Sequence, residues 1–319
     1  MISKLKGKTI LVTGATGFVG GNLVDRLLKE KAKVRILVRR GNNKFSKNRK
    51  VKMFISDITD PTTLVRAMKK VDIVYHVAAA LPYHNLSKEK YWEINVLGTD
   101  SLIKEAIKNK VKKFIHVSTV GIYGDKALDV DEKTKFSPMG NYSTSKLEGE
   151  EIVRKYKNKI GVVIIRPTLA YGPGDTRPVF FRLFKLVKKG VYFPIGSGKN
   201  YFHTLYIANL IDALILSAVR KEAIGEDFII GDDPCPRFID IEKIIFKVIG
   251  RKFPHFYFPK EIIVIPFIFI GKVGQISFIT NEKKYKIAKA KKILGYKASV
   301  SIEDGLKQTY KWYKKEKLI

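Results

Sequence analysis

Tyr142 and Lys146 are the two side chains of this sequence whose types and spacing most clearly allow chemistry. They stand four residues apart in Tyr-Ser-Thr-Ser-Lys, so on a helix they would share one face. A phenol normally titrates near pH ~10, but a neighbouring ammonium favours its phenolate. The pair therefore predicts a proton carrier that works near neutral pH. This spacing is also common on helix surfaces without any function, so the prediction depends on other elements that build a site around the pair.

A pair of hydroxyls precedes this predicted helix. Ser118 and Thr119 follow directly on the apolar run Phe114 to Val117. A hydroxyl at the end of such a strand can orient the oxygen of a substrate. We therefore expect one of the two to lie close to Tyr142.

A glycine loop, Gly14-x-x-Gly17-x-x-Gly20, follows the first apolar run of the chain. The order strand, loop, helix places backbone N–H groups and a helix N-terminus where a pyrophosphate can sit. Side chains in place of the glycines would block the tight turn, the approach of the phosphate, or the packing of the helix on the strand. The loop thus predicts a dinucleotide site that is also lined by Thr16, Phe18 and Val19.

The ends of the next two apolar runs indicate how the adenosine half of such a cofactor would be held. Arg39 and Arg40 stand where an acidic residue would bind the ribose 2′-hydroxyl, and two guanidiniums can instead bind a 2′-phosphate, which favours NADP over NAD. The alternative is two solvated arginines, and the sequence does not decide between them. Asp57, with Ile58 beside it, is placed to accept from the adenine amino group, whereas Asp60 is interpreted as a helix N-cap.

The elements that must position these residues alternate regularly. Short apolar runs predict parallel strands, and stretches with apolar residues at helical spacing lie between them. This order predicts an α/β fold with a doubly wound parallel sheet of the Rossmann type. The strands are predicted at Thr9 to Val12, Val34 to Val38, Val51 to Ile55, Ile73 to His76, Phe114 to Val117 and Gly161 to Ile165. The helices are predicted at Val19 to Lys29, Thr62 to Met68, Tyr91 to Asn109 and Tyr142 to Tyr156.

The chain divides into two regions at Arg166. We interpret residues 1–166 as a dinucleotide-binding domain and residues 167–319, where prolines shorten the elements, as mainly a substrate-binding region. Parts of 206–240 are expected to return to the sheet. Further elements are predicted at Tyr206 to Val219 (helix), Asp227 to Ile230 (strand), Ile239 to Ile249 (helix) and Ile302 to Lys315 (helix).

The charge is strongly positive, with a net +31 and a pI near 9.9. Such a balance attracts nucleic acid, anionic membranes or acidic metabolites. The lysines are scattered, so we favour a generally lysine-rich chain. Because no nucleic-acid motif interleaves aromatics with the charge, a nucleic-acid partner is not predicted.

The cysteine content and the hydropathy indicate which compartment and which kinds of site the sequence allows. Cys235 is the only cysteine, so an intramolecular disulfide is impossible and a cysteine metal site is not expected. The first apolar run is too short for a secretory signal, and we expect a cytoplasmic protein. The longest apolar tract, Ile262 to Ile270, is too short to span a bilayer and contains Pro266. It is interpreted as a core segment, a lid over an apolar pocket, or a weak interfacial membrane contact.

In combination these motifs resemble the extended short-chain dehydrogenase/reductase family, also called the NAD-dependent epimerase/dehydratase family. The likeness extends over nearly the whole chain. It is carried by Thr13 to Gly20, Asp57, His76 to Ala79, Asn95 to Gly98, Val117 to Gly124, Tyr142 to Lys146, Arg166 to Pro173, Lys291 to Tyr296 and Trp312-Tyr313.

The resemblance implies a catalytic triad of Thr119, Tyr142 and Lys146, with Ser118 as a secondary candidate that would contact substrate. It implies hydride transfer at a carbinol carbon with no metal, and a homodimer formed through the predicted helices 91–109 and 142–156. The further cofactor contacts that it implies are Ala78, Ala79, Asn95, Val117 and Pro167.

Two departures bear on the substrate. Leu169 stands where similar nucleotide-sugar enzymes have asparagine, and Phe202 falls near the position of an arginine that grips a substrate diphosphate; Arg177 or Lys199 could supply that charge, and His203 could border the ligand. The acidic pair typical of sugar dehydratases is absent after Thr119. We therefore favour an oxidoreductase acting on a secondary alcohol or ketone of a fairly apolar molecule.

Two alternatives remain open. One is a nucleotide-sugar 4-epimerase that holds NAD tightly, which would oxidise and re-reduce the same carbon. The other is a redox-sensing scaffold that only binds NAD or NADP, although a pure binding module would not need the three triad residues.

Overall fold

The computed structural model describes residues 4–39, 43–125, 127–259 and 273–319. Arg40 and the apolar tract Ile262 to Ile270 lie outside the described residues, so the interpretations that rest on them stay predictions.

A seven-stranded parallel sheet forms the centre of the molecule. Its spatial order is β10-β7-β5-β4-β1-β2-β3, which confirms the predicted doubly wound α/β class. The strands in this sheet are β1 (Thr9–Thr13), β2 (Lys33–Val38), β3 (Val51–Ile55), β4 (Ile73–His76), β5 (Lys113–Val117), β7 (Gly161–Pro167) and β10 (Asp227–Ile230).

Helices cover both faces of this sheet, which is why its strands read as continuous apolar runs. In β1, Ile10 and Val12 join one core cluster and Leu11 joins the other, and all three are fully buried. α1 packs on α7 on one face, and α2, α4 and α5 pack together on the other. These helices are α1 (Phe18–Lys29), α2 (Pro61–Met68), α4 (Gly98–Lys108), α5 (Gly140–Lys155) and α7 (Ile207–Val219).

The second half of the chain adds smaller elements at one end of the sheet, while β10 returns to the edge of the large sheet beside β7. Two-stranded parallel pairs form between β6 and β11 and between β8 and β9. No helix in the described ranges is long and apolar enough to cross a membrane. The remaining elements are α3 (Lys88–Trp92), β6 (Ala127–Val130), β8 (Leu169–Tyr171), α6 (Pro178–Lys189), β9 (Thr204–Tyr206), α8 (Phe238–Ile249), α9 (Val273–Thr280), β11 (Lys283–Tyr285) and α10 (Ile302–Lys315).

The prediction of one continuous helix over 91–109 is wrong. It begins earlier, at Lys88, where the Ser87 side chain caps the N-terminus, and a π-helical turn at Glu93–Leu97 separates α3 from α4. A π-turn shifts the face that a residue presents, and such turns are often found at functional sites. Here the turn contains the buried Asn95. The strands β6, β8, β9 and β11 were not predicted, because three- or four-residue strands carry too little periodicity to detect. The 12-residue helix α6 was also missed, although it begins at a proline and ends before a glycine.

Candidate active site

Tyr142 and Lys146 lie one turn apart at the start of α5, as their spacing predicts. The Lys146 ammonium donates a hydrogen bond to the Val117 carbonyl at 2.8 Å, at the very end of β5. Lys146 is 2% exposed, so this contact anchors the helix on the sheet from the interior. The Tyr142 ring meets the Tyr91 ring edge-on, with centroids 6.5 Å apart.

Thr119 completes this cluster from the other side of the site. It follows β5 and caps a 3₁₀ turn at Val120–Tyr123, where its hydroxyl accepts from the Gly121 N–H at 3.0 Å. Thr119 also lies close enough to Tyr142 to lower the pKa of its phenol. The hydroxyl of Ser118 is buried next to it and has no hydrogen-bond partner within the described residues.

Burial sets the protonation of both titratable groups. It raises the pKa of Tyr142 to about 12, while the Thr119 hydrogen bond and the Arg177 charge act in the opposite direction. It lowers the pKa of Lys146 to about 8, against the opposing effect of Glu150. By the protein alone the phenol is thus held neutral near pH 7, which fits a group that donates a proton to a developing alkoxide.

A buried ion-pair network holds α5 against β7 beneath the triad. Arg166 is fully buried and donates from Nε and Nη2 to Glu150, at 3.0 and 2.7 Å. Its Nη1 donates to the Tyr123 hydroxyl at 2.6 Å and contacts Asp227. Since Glu150 lies one turn after Lys146, this network fixes the height of α5 above the sheet.

The glycine loop has the shape that a dinucleotide requires. Gly14 has a φ of +67°, and a Cβ there would come within 2.7 Å of the Ala78 backbone N. A Cβ on Gly20 would overlap the Gly14 carbonyl oxygen. Gly17 caps α1 without a side-chain hydrogen bond, and the first turn of α1 has no acidic residue. The N-terminus of α1 is therefore open to a phosphate, with Phe18 and Val19 half-buried beside it.

Two buried side chains hold the loop after β4, which faces the glycine loop across a groove. The Thr13 hydroxyl accepts from the N–H groups of Val77 and Ala78, each at 3.1 Å. Asn95 brackets Ala80, accepting from its N–H at 2.8 Å and donating to its carbonyl at 3.2 Å. Asn95, which we predicted as a cofactor contact, thus acts by positioning the loop that carries Ala78 and Ala79.

Two cations lie near the carboxyl end of β2 and the start of α1. Arg39 directly follows β2 and is exposed. Lys44 lies across the first turn of α1, because a Cβ on Gly21 would meet its ammonium. Asp57 uses one oxygen to accept from the Thr59 N–H and hydroxyl, and Ile58 is buried against Gly98.

The predicted substrate residues separate into two groups. Arg177 lies in the site: its guanidinium stacks on Phe18 at 4.9 Å and lowers the pKa of Tyr142, and both its Nε and Nη2 pair with Asp175. Phe202 and His203 do not reach the triad. Phe202 is buried against Phe238 and Phe278.

Both ring nitrogens of His203 are occupied within the core. Nε2 bonds the Asp232 carbonyl at 2.8 Å, and Nδ1 bonds the Tyr285 N–H at 3.2 Å. Leu169 starts β8 and packs half-buried on the core, and Pro167 ends β7 opposite Ile230. Neither Phe202 nor His203 is therefore presented to a ligand in this structure.

Several residues of the site were not predicted from sequence. Tyr91, Glu150 and Lys44 carry no motif of their own, and Thr13 was named only as the start of the glycine-loop stretch. A weak signal existed for Thr13, since it ends the strand that opens the glycine loop. Within the described ranges, no group of three or more His, Cys, Asp or Glu side chains could hold a metal ion.

Comparisons with known proteins bear on this geometry. The model of the family described as NAD dependent epimerase/dehydratase matches residues 10–231, more than half of the chain. A UDP-glucose 4-epimerase of Vibrio cholerae is 30% identical, over 95% of this chain and 94% of that protein. A decarboxylating sterol-4-alpha-carboxylate 3-dehydrogenase of Candida albicans is 28% identical, over 96% and 97%. The solved structure of a UDP-glucuronic acid 4-epimerase from Bacillus cereus in complex with NAD matches with a TM-score of 0.79 and 27% identity, over 97% of this chain and 99% of that one.

Proposed function

Because the chain belongs to the NAD-dependent epimerase/dehydratase family, we propose that it transfers a hydride between a nicotinamide cofactor and a secondary alcohol or ketone. The observation that carries this proposal is the convergence of three side chains at the end of β5. Thr119 follows the strand and lowers the pKa of Tyr142, and Lys146 donates to the Val117 carbonyl. A bound nicotinamide supplies or accepts the hydride. The protein's own task is then to bind the substrate oxygen and move its proton.

Each member of the triad has a distinct role in this proposal. Tyr142 exchanges the proton with the substrate oxygen, and Thr119 donates a hydrogen bond that steadies the same oxygen. The Lys146 ammonium donates one hydrogen bond to the Val117 carbonyl. Because an ammonium has three N–H donors, its other two can bind the ribose hydroxyls of the cofactor. The positive charge of Lys146 favours the phenolate when Tyr142 has given up its proton.

We propose a fairly apolar substrate. Leu169 and Phe202 stand where nucleotide-sugar enzymes would offer polar contacts, and Phe202 is buried in the core. The guanidinium of Arg177 is already paired at two atoms with Asp175, so it is poorly available to grip a diphosphate. A sterol carboxylate dehydrogenase among the relatives is an apolar-substrate enzyme of matching length.

The test is a net redox measurement. The purified protein is mixed with NADPH and a panel of ketones of increasing hydrophobicity, and absorbance at the nicotinamide band is followed. We expect stoichiometric consumption of NADPH with the apolar ketones. No consumption, together with interconversion of UDP-sugars without added cofactor, would overturn the oxidoreductase in favour of an epimerase.

A nucleotide-sugar 4-epimerase is the second candidate. It is favoured by the 30% identity to a UDP-glucose 4-epimerase over nearly the whole of both proteins. Such an enzyme would use the same triad, first to oxidise and then to reduce one carbon, with no net cofactor consumption.

We propose NADP as the preferred cofactor, and Arg39→Asp is expected to reverse that preference. The proposal is supported by two cations, Arg39 after β2 and Lys44 across the first turn of α1, which can bind a 2′-phosphate. An aspartate at position 39 would repel the phosphate and bind a free 2′-hydroxyl. Thermal-shift titrations should give a larger stabilisation by NADP in the wild type and by NAD in the variant. Arg49→Asp, an exposed change in the same loop, should retain the wild-type order. Stronger stabilisation of the wild type by NAD would refute this assignment.

We propose a homodimer through α3, α4 and α5. Trp92 and Leu97 are exposed apolar side chains on this surface, 43% and 42% accessible. Burying them against a second copy would remove both from water. Light scattering should give twice the chain mass for the wild type and the chain mass for Leu97→Glu, while a monomeric wild type would contradict the proposal.

A further inference from the structure

Exposed apolar side chains are concentrated in two segments, 186–193 and 256–258. The three aromatic residues at 256–258 and Phe193 are 39% to 58% exposed, and Leu186 and Val191 are exposed beside them. Other exposed large apolar residues of the described chain, such as Val65 and Leu128, are spread over separate elements. Single exposed apolar residues are ordinary, but a cluster indicates a binding surface.

The aromatic rings of this cluster pack on one another. Phe193 stacks on Phe256 with centroids 5.4 Å apart and meets Phe258 edge-on at 5.6 Å. Two backbone hydrogen bonds join the segments: Phe258 N–H to the Pro194 carbonyl at 2.9 Å, and Gly196 N–H to the Phe258 carbonyl at 2.8 Å. The cluster is therefore a single apolar knob held by main-chain contacts.

Positive charge surrounds this knob. Lys188 and Lys189 end α6, Arg251 and Lys252 follow α8, and all four are exposed. Arg251 donates to the Lys188 carbonyl at 2.8 Å, which brings the two cationic pairs together. The sequence has no Asp or Glu between residues 176 and 211, or between 243 and 259. We call the knob with these four cations the aromatic face.

We infer that the aromatic face docks the protein on an anionic membrane surface. Apolar rings can enter the headgroup region while the surrounding cations contact lipid phosphates, and the two attractions add. A second copy of the chain is disfavoured as occupant, since a two-fold contact would set like charges against each other. A single-stranded nucleic acid needs separate ring faces on which bases stack, whereas Phe193 and Phe256 are already stacked on each other.

The experiment is co-sedimentation of the full-length protein with vesicles. One set contains phosphatidylcholine alone, and the other contains equal parts phosphatidylcholine and phosphatidylglycerol. We expect binding to the anionic vesicles only, weakened by added salt because the charges are exposed. The variant Phe256→Ser/Phe258→Ser should have an affinity for anionic vesicles at least about tenfold lower than the wild type. The variant Lys188→Glu/Lys189→Glu should show a similar loss of affinity.

Matched controls separate docking from misfolding. Val65→Ser removes an equally exposed apolar residue from α2 and should bind vesicles like the wild type. All variants should keep the wild-type thermal shift with NADP or NAD, which shows that they fold. This readout does not depend on the substrate, so failure of the proposed reaction would leave the docking test intact.

Three results would overturn the inference. The first is equal binding to neutral and anionic vesicles or to neither. The second is a change in oligomer mass, and not in vesicle binding, when the aromatic residues are replaced. The third is tighter binding of a single-stranded oligonucleotide that is lost in the same variants and competes with vesicles.

Discussion

Tyr142→Phe is expected to reduce turnover by a factor of about 10²–10⁴ while leaving cofactor affinity unchanged. The phenol is the group that touches the substrate oxygen in the proposed reaction, and phenylalanine keeps the ring that packs on Tyr91. Burial holds the proton on this phenol, with a pKa raised to about 12, so donation to an alkoxide is the step that is lost. Steady-state kinetics on an active substrate and a thermal shift with cofactor measure the two properties.

Tyr91→Phe is the matched control. Its hydroxyl donates to the Leu81 carbonyl at 3.0 Å and has no role in the proposed proton transfer, while the phenylalanine ring keeps the edge-on contact with Tyr142. A loss of only a few-fold is expected. If Tyr142→Phe also retained activity within a few-fold of the wild type, the assignment of the proton carrier would be wrong.

Arg166→Met is expected to lower the free energy of unfolding by about 3–5 kcal/mol, because it leaves a buried carboxylate without its partner. Arg166 and Glu150 are both fully buried and share three hydrogen bonds. Methionine fills much of the volume but cannot neutralise Glu150. Urea denaturation followed by circular dichroism measures the change.

Arg154→Met tests whether burial is the cause. Arg154 contacts the same two carboxylates, Glu150 at 3.5 Å and Asp227 at 3.3 Å, but its side chain is 37% exposed. Its loss should cost no more than about 1 kcal/mol. The double variant Arg166→Met/Glu150→Leu should recover part of the stability, since no unpaired charge remains at that position. Equal losses for the two arginines would show that the buried pair has no special weight.

The main sheet could be predicted from sequence nearly strand by strand. The seven predicted strands and six of the seven predicted helices lie within one or two residues of those observed, because strands buried on both faces are continuous apolar runs and helices have a distinct period. The predicted helix over 91–109 differs, because a π-turn breaks it at Glu93–Leu97. A single inserted residue moves the phase of the hydrophobic pattern, but the broad apolar stripe of a buried helix hides that shift over so few turns.

The predicted substrate residues depend most on the tertiary structure. Phe202 was placed near the ligand because it falls near the position of an arginine that grips a substrate diphosphate in similar enzymes, and His203 because it stands next to it. In the folded protein both side chains turn into the core, where His203 joins the Asp232 carbonyl to the Tyr285 N–H. Arg177 is in the site as predicted, but its pairing with Asp175 could not be read from spacing alone.

The spacing of Tyr142 and Lys146 determined by itself that the two side chains share a helical face, since that relation depends only on the pitch of a helix. The glycine loop likewise determined a tight turn between strand and helix. The family resemblance already favoured Thr119 over Ser118, and Thr119 is also the hydroxyl that affects the pKa of Tyr142. Only the tertiary structure decided that the Lys146 ammonium reaches the Val117 carbonyl and that Arg166 holds α5 from below through Glu150. These contacts join residues that are 16 to 29 positions apart. Their geometry depends on how the sheet and the helix pack, and no local sequence pattern predicts it.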